Sequence, residues 1–79
     1  MLKLKDILET LKGDVAIYLR DGHPDDLVVT EPIPAEEVRD KIIKMGMRFF
    51  NYYILEMYAT EYMIGVDEEL PCIKIVLVR

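Results

Sequence analysis

The residues best suited to chemistry lie in one short segment, DGHPDD at residues 21–26. Asp21, His23, Asp25 and Asp26 offer carboxylate oxygens and an imidazole nitrogen, which are ligands for a divalent metal. The spacing lacks the regular acidic alternation and distal Glu of a calcium loop. Asp, Gly and Pro are also the usual residues of turns. The segment therefore carries a weak hypothesis, a metal-dependent enzyme or sensor, beside the simpler interpretation of a loop.

No other pattern predicts a catalytic site. The chain contains no serine, the commonest side-chain nucleophile. Cys72 follows Pro71 at the start of an apolar run and is typical of a small buried residue. The four glycines are scattered, so they do not form a phosphate-binding loop. We expect a protein that is not an enzyme, has no catalytic residues and uses no cofactor.

Aromatic side chains are crowded between residues 47 and 66, which hold six of the seven in the chain: Phe49, Phe50, Tyr52, Tyr53, Tyr58 and Tyr62. They suit a core, a surface that stacks nucleic-acid bases, or a surface that binds protein. Base stacking requires neighbouring cations to hold the phosphates, and no Lys or Arg lies between Arg48 and Lys74. The sequence therefore favours a core or a protein-binding surface, and it leaves those two open.

Length and charge limit the possible classes of protein. Seventy-nine residues predict one domain, residues 1–79, with a marginal core. The net charge of −5 disfavours direct nucleic-acid binding. Asp6 and Glu9 interrupt the apolar stretch that a signal peptide requires, and the single Cys suits a reducing compartment. We expect a cytoplasmic protein that does not bind membranes and that associates with itself or with a partner, since small domains often need such support.

Hydrophobic periodicity predicts the first half of the fold. Leu4, Ile7, Leu8 and Leu11 form a helical stripe, which predicts a helix over residues 3–12. The alternation of VAIYLR at 15–20 predicts a strand buried on the face of Val15 and Ile17, and LVVT at 27–30 predicts a second strand. Pro32 and Pro34 follow and place this part of the chain at a sheet edge or outside the sheet.

The second half repeats this order. AEEVRDKIIKM at 35–45 predicts a helix that begins after Pro34, buries Val38 and Ile42, and ends at Gly46. CIKIVLV at 72–78 predicts a strand. Residues 51–63 fit a strand better than a helix, although both remain open. The fold class is therefore α+β, in the order α-β-β-α-β-β, with two helices on one face of a mainly antiparallel four-stranded sheet.

The two faces of the third strand receive different roles. Tyr53, Leu55, Met57 and Ala59 form a wholly apolar face that we expect in the core, with Phe49 and Phe50 anchoring the preceding turn. The opposite sheet face would be open, and exposed apolar patches mark interaction sites. We expect it to carry a larger mixed set: Tyr18, Arg20, Ile54, Glu56, Tyr58, Tyr62, Lys74, Val76 and Val78.

The chain resembles small uncharacterised proteins encoded by phages and other mobile elements of Gram-positive bacteria. The segments that carry the resemblance are LKDILETLKGDVAIYLRDG, EPIPAEEV, RFFNYYILEMYA and IKIVLV. The resemblance covers most of the chain as a pattern of elements. It implies a host-directed role, including inhibition of bacterial defence systems.

Two main hypotheses follow. The first is a non-enzymatic protein-binding module, an acidic phage-type inhibitor or modulator of a nucleic-acid enzyme such as a defence nuclease. Its partner would present a basic surface to Tyr58, Tyr62, Glu56, Asp67, Glu68 and Glu69. The second is a homodimeric accessory or structural protein that buries the open sheet face against a second copy.

Overall fold

The computed structural model describes residues 1–20 and 31–79. These residues form a small α+β fold with two helices and a mixed four-stranded sheet. The elements are α1 (Leu4–Ile7), β1 (Asp14–Leu19), β2 (Ile33–Pro34), α2 (Ala35–Met45), β3 (Tyr53–Met63) and β4 (Glu69–Val78), with 3₁₀ turns at Leu8–Thr10 and Met47–Asn51. The strand predicted at 27–30 lies outside the described residues, and Ile33–Pro34 occupies the place beside β1.

The N-terminal helix is much shorter than predicted. Its α-helical part ends at Ile7 and tightens into the 3₁₀ turn, where the Thr10 hydroxyl donates to the Ile7 carbonyl at 2.7 Å. At the start, the Lys3 backbone N–H donates to the Asp6 carboxylate at 2.9 Å. Leu4 and Ile7 are nevertheless buried. The apolar stripe thus identified the buried side chains but not the length of the helix.

α2 matches its predicted bounds and its predicted buried residues. Val38 and Ile42 are both fully buried. The backbone N–H of Gly46, with φ at +147°, donates to the Ile42 carbonyl at 2.8 Å and ends the helix. An L side chain rarely adopts such a φ, so glycine suits this position.

The sheet order is β2-β1-β4-β3, and the central pair, β1 with β4, is parallel. The prediction of a mainly antiparallel sheet was therefore incomplete, because only the β1–β2 and β3–β4 pairs are antiparallel. The physical reason is that β1 and β4 are far apart in sequence, so no local pattern encodes their relative direction. The apolar run of β4 agrees with its central position, whereas β3 carries two carboxylates and lies at the edge.

One cluster of ten buried side chains joins the helices to a single face of the sheet: Leu4, Ile7, Val15, Ile17, Val38, Ile42, Phe49, Tyr52, Ile75 and Leu77. Phe49 and Tyr52 meet edge to face, with ring centroids 5.1 Å apart. Phe50 packs against the cluster from outside. The prediction that Phe49 and Phe50 anchor the turn before β3 is confirmed.

The prediction that Tyr53, Leu55, Met57 and Ala59 form the core face of β3 is wrong. A bulge between Ile54 and Glu56 shifts the register, so the residues on either side of it alternate out of phase. Ile54 packs against the core, although we predicted it on the open face. Tyr53 and Met57, predicted as core, are 37% and 50% exposed.

Leu55 and Ala59, the other two residues predicted in the core, are not fully buried either. Leu55 is half-buried at the bulge and Ala59 is exposed. Met57 and Ala59 pair with Ile75 and Ile73, so they do share the helix side of the sheet. They remain exposed because β3 is the outermost strand of the described sheet, away from the elements that bury β1.

The cross-strand partners Ile75 and Met57 should respond very differently to truncation. We expect Ile75→Ala to lower the free energy of unfolding by about 2–5 kcal/mol, because it leaves a cavity in the core. Met57→Ala should change it by no more than about 0.5–1 kcal/mol, because half of that side chain is already in water. Urea unfolding followed by circular dichroism measures both. Equal losses would contradict the exposed position of Met57 on the outermost described strand.

Candidate protein-binding surface

The sheet face opposite the helices, which we call the helix-free face, has side chains from β1, β4 and β3. The register places Ala16, Lys74 and Tyr58 in one row across the strands, and Tyr18, Val76 and Glu56 in the next. Towards the end of the β3–β4 hairpin, Thr60 faces Cys72 and Tyr62 faces Leu70. The face therefore combines aromatic, aliphatic and polar groups over three adjacent strands.

Lys74 lies at the centre of this face between two aromatic rings. Its Nζ atom is 4.7 Å from the ring centroid of Tyr18 and 5.9 Å from that of Tyr58. Both distances are within the range of a cation–π interaction. Lys74 thus contacts an aromatic ring from each strand that neighbours β4.

Tyr58 is the most exposed aromatic residue on the helix-free face beyond the bulge, at 44%. Tyr18 and Tyr62 are half-buried. A groove passes between these rings and is lined also by Thr60, Cys72 and Lys74. The structure thus brings the predicted contact residues Tyr58 and Tyr62 together on one surface.

Cys72 lies at the base of the groove and is 6% exposed. Burial raises the pKa of its thiol, the charge of Asp14 raises the pKa further, and Lys74 acts in the opposite direction. The net effect disfavours the reactive thiolate. Cys72 is therefore a packing residue, as the sequence indicated.

The predicted acidic contacts are divided between two places. Glu56 is exposed on the helix-free face, next to the rows that contain the tyrosines. Asp67, Glu68 and Glu69 are exposed at the turn of the hairpin. The structure does not place all four in one cluster with Tyr58, but Tyr62 is close to the turn because it pairs with Leu70.

Glu61 and Glu69 form a carboxyl pair near the hairpin turn. Protonated Glu69 donates a hydrogen bond to the Glu61 carboxylate, and the negative charge of Glu61 opposes ionisation of Glu69, so both effects raise the pKa of Glu69. Repulsion of this kind would be relieved by a proton or by a cationic group from outside. Glu61 was not among the predicted contact residues. Glu61 and Glu69 come close together only because of the β3–β4 pairing register.

The sequence analysis also missed several exposed apolar residues of the hairpin. Met57, Met63, Ile64 and Val66 are each at least half exposed. β3 has 11 residues and β4 has 10, whereas β1 has only six. The end of the hairpin therefore extends beyond β1, and the length of the strand-like segment at 51–63 was the available signal.

The candidate metal ligands Asp21, His23, Asp25 and Asp26 lie outside the described residues. Within 1–20 and 31–79, no group of three or more His, Cys, Asp or Glu side chains is arranged to hold a metal ion. No helix in these two ranges is long and apolar enough to cross a membrane. Comparison with known proteins finds no matching family model, no similar curated protein and no similar solved structure.

Glu69→Gln should stabilise the protein at neutral pH and should flatten its pH dependence. A carboxyl group whose pKa is raised in the folded state binds more protons folded than unfolded, so stability falls as pH rises through that raised pKa. The glutamine variant lacks this loss. Thermal melts at neutral and mildly acidic pH measure the effect.

Glu68→Gln is the matched control, because it removes one charge from the same turn and leaves the Glu61–Glu69 pair intact. If both variants change the melting temperature in parallel at each pH, general charge reduction is the cause and the pair has no specific effect.

Proposed function

We propose that this chain is a non-enzymatic protein-binding module that acts in the cytoplasm and contacts its partner through the helix-free face. The observation that carries the proposal is the arrangement of Tyr18, Tyr58 and Tyr62 around a groove on a sheet face that no described element covers. Tyrosines are enriched at protein interfaces because an apolar ring and a polar hydroxyl both find partners there.

The Tyr18 and Tyr58 rings are partly oriented before a partner binds. The Lys74 ammonium lies between the Tyr18 and Tyr58 rings at cation–π distances, which favours their present orientation and reduces the side-chain entropy lost when a partner docks. Cys72 and Ala16 are buried and form the base of the groove between the rings. Partly exposed, pre-oriented aromatic residues of this kind commonly dominate binding energy.

Charge supports a partner with a basic surface. The chain has 15 acidic and 10 basic residues, and the hairpin turn exposes Asp67, Glu68 and Glu69. Such a charge distribution attracts cationic surfaces over a Debye length and speeds association. Enzymes that act on nucleic acids have basic grooves, so an inhibitor or modulator of such an enzyme, including a bacterial defence nuclease, is the partner class that we propose.

The test uses the immobilised protein and a panel of purified bacterial nucleases and other nucleic-acid enzymes. We expect Tyr58→Ala to weaken binding to a panel member about tenfold or more, as hot-spot truncations do. Tyr53→Ala is the matched control, because Tyr53 is similarly exposed but lies on the other side of the bulge, where Lys3 covers its ring at 5.6 Å. Surface plasmon resonance measures all three proteins.

Salt provides the second criterion. Binding between an acidic turn and a basic surface should weaken steeply as ionic strength rises, because the Debye length falls from about 10 Å at 0.1 M to about 3 Å at 1 M. The proposal fails if no panel member binds. It also fails if binding is equal for wild type, Tyr58→Ala and Tyr53→Ala.

A further inference from the structure

β3 forms one outer edge of the described sheet, and only its beginning is covered. The N-terminal segment pairs with it there: the Leu4 N–H donates to the Tyr52 carbonyl at 2.9 Å, and the Ile54 N–H donates to the Leu2 carbonyl at 2.8 Å. Beyond the bulge, no described residue pairs with the outer side of β3. A row of backbone donors and acceptors is therefore open from Met57 to Met63.

The hydrogen bonds of the hairpin identify which backbone groups point outwards. The Ile64 N–H donates to the Glu68 carbonyl at 3.0 Å, so this is a hydrogen-bonded pair of the antiparallel ladder. Bonded and non-bonded pairs alternate in such a ladder. The backbone N–H and C=O groups that face away from β4 therefore belong to Met57, Ala59, Glu61 and Met63, which also place their side chains on the helix side of the sheet.

Within residues 1–20 and 31–79, the other strand edges without a neighbour carry proline, which cannot donate a hydrogen bond to a further strand. β2, at the opposite edge, consists of Ile33 and Pro34 and follows Pro32. β4 pairs with β1 only from Ile73 onwards, and Pro71 occupies the part of β4 that extends beyond. By the same alternation, the missing N–H of Pro71 is on the open side.

β3 has no such protection. From Met57 to Met63 it contains no proline, lysine or arginine, and its one charged residue is Glu61. Met57 and Met63 are 50% and 58% exposed beside the open backbone groups. Long edges with exposed apolar side chains are templates for another strand. The edge is therefore suited to a strand that brings an apolar row of its own.

We propose that the strand is β3 of a second copy of this chain, paired antiparallel about a twofold axis at Thr60. In a continuous sheet, two residues that oppose each other across the interface have their side chains on the same face. Because side chains alternate between faces along a strand, the numbers of two opposing residues differ by an even amount. Glu56 and Glu61 lie on opposite faces of β3 and can therefore never oppose one another across this interface.

The position of the axis follows from charge and from the space available. An axis at Glu61 would place two like charges opposite each other, which is destabilising. An axis at Tyr58 would place Met63 opposite Tyr53 of the second copy, where the N-terminal segment already covers the edge. An axis at Ala59 would place Met63 opposite the bulge residue Leu55. An axis at Thr60 avoids all three conflicts.

In that register every outward backbone group finds a partner. Met57 opposes Met63 of the second copy, and Ala59 opposes its Glu61, with each pair exchanging two hydrogen bonds. On the helix-free face, Tyr58 opposes Tyr62 of the second copy, a type of aromatic cross-strand pair that stabilises sheets. The two sheets become one, and the tyrosines of both copies form a single continuous surface.

The test of the dimer does not depend on the proposed partner, because the oligomeric state is measured on the pure protein. Light scattering over a dilution series should show a concentration-dependent dimer for the wild type. Ala59→Glu should raise its dissociation constant tenfold or more, since the new carboxylate faces Glu61 of the second copy. Ala59→Lys, at the same site with the opposite charge, should leave the dimer intact or tighten it.

Cross-linking tests the position of the axis. Thr60 faces Cys72 within its own chain, so the variants are made in a Cys72→Ala background. Thr60→Cys should form a covalent dimer under mild oxidation, because the two copies of residue 60 face each other directly. Ala59→Cys, the control, should not, because its two copies are offset along the strands.

Several outcomes would overturn the proposal. One is a wild-type monomer at every concentration, with folding verified by circular dichroism; a foreign strand would then be the remaining occupant of the edge. Another is a dimer that Ala59→Glu and Ala59→Lys weaken equally, or that Ala59→Cys cross-links as well as Thr60→Cys does. Loss of the dimer in these assays leaves partner binding by the helix-free face to be judged separately.

Discussion

β4 pairs with β1 on one side and with β3 on the other, and the remaining structure depends on this double pairing. Its side chains Ile75 and Leu77 are fully buried among residues of both helices. On the opposite face, Lys74 contacts a tyrosine from each neighbouring strand. A single strand thus organises both the core and the candidate binding surface, because its alternate side chains point to opposite faces of the sheet.

The bulge in β3 separates two parts of the hairpin with different tasks. Before it, Ile54 packs on the core and the N-terminal residues pair with the strand edge. After it, β3 leaves the protected region, and Met57 and Met63 are exposed. The bulge thus marks the boundary between the part of β3 that packs on the core and the part that lies at the open edge of the described sheet.

The exposed features of the β3–β4 hairpin are consistent with association. Tyr58 offers an aromatic ring on the helix-free face, and Glu61 and Glu69 place repelling carboxylates near the turn. Such surfaces gain free energy when apolar area is covered and when charge is compensated. A second copy would pair with the backbone edge of β3, whereas a partner would contact the outward side of the helix-free face. Tyr58 and Tyr62 contribute to both, because the dimer extends that face across the two copies.

Local pattern in the sequence determined much of this protein. Periodicity identified α2 and its buried residues Val38 and Ile42, the strand character of β1, β3 and β4, and the exposed position of Tyr58. These features depend on neighbours along the chain, since an apolar face at the right spacing must be buried wherever the element packs. The candidate contact residues Tyr58 and Tyr62 were proposed from the same alternation.

Only the tertiary structure decided which strands are neighbours and where β3 changes phase. The parallel pairing of β1 with β4 joins residues far apart in sequence, and no local pattern encodes it. The bulge shifts the register of β3, so Tyr53 lies away from the core although its apolar character was evident. Met57 keeps the predicted side of the sheet but is exposed because β3 is the outermost described strand. The proximity of Glu61 to Glu69, and that of Lys74 to Tyr18, likewise exist only after the strands have paired.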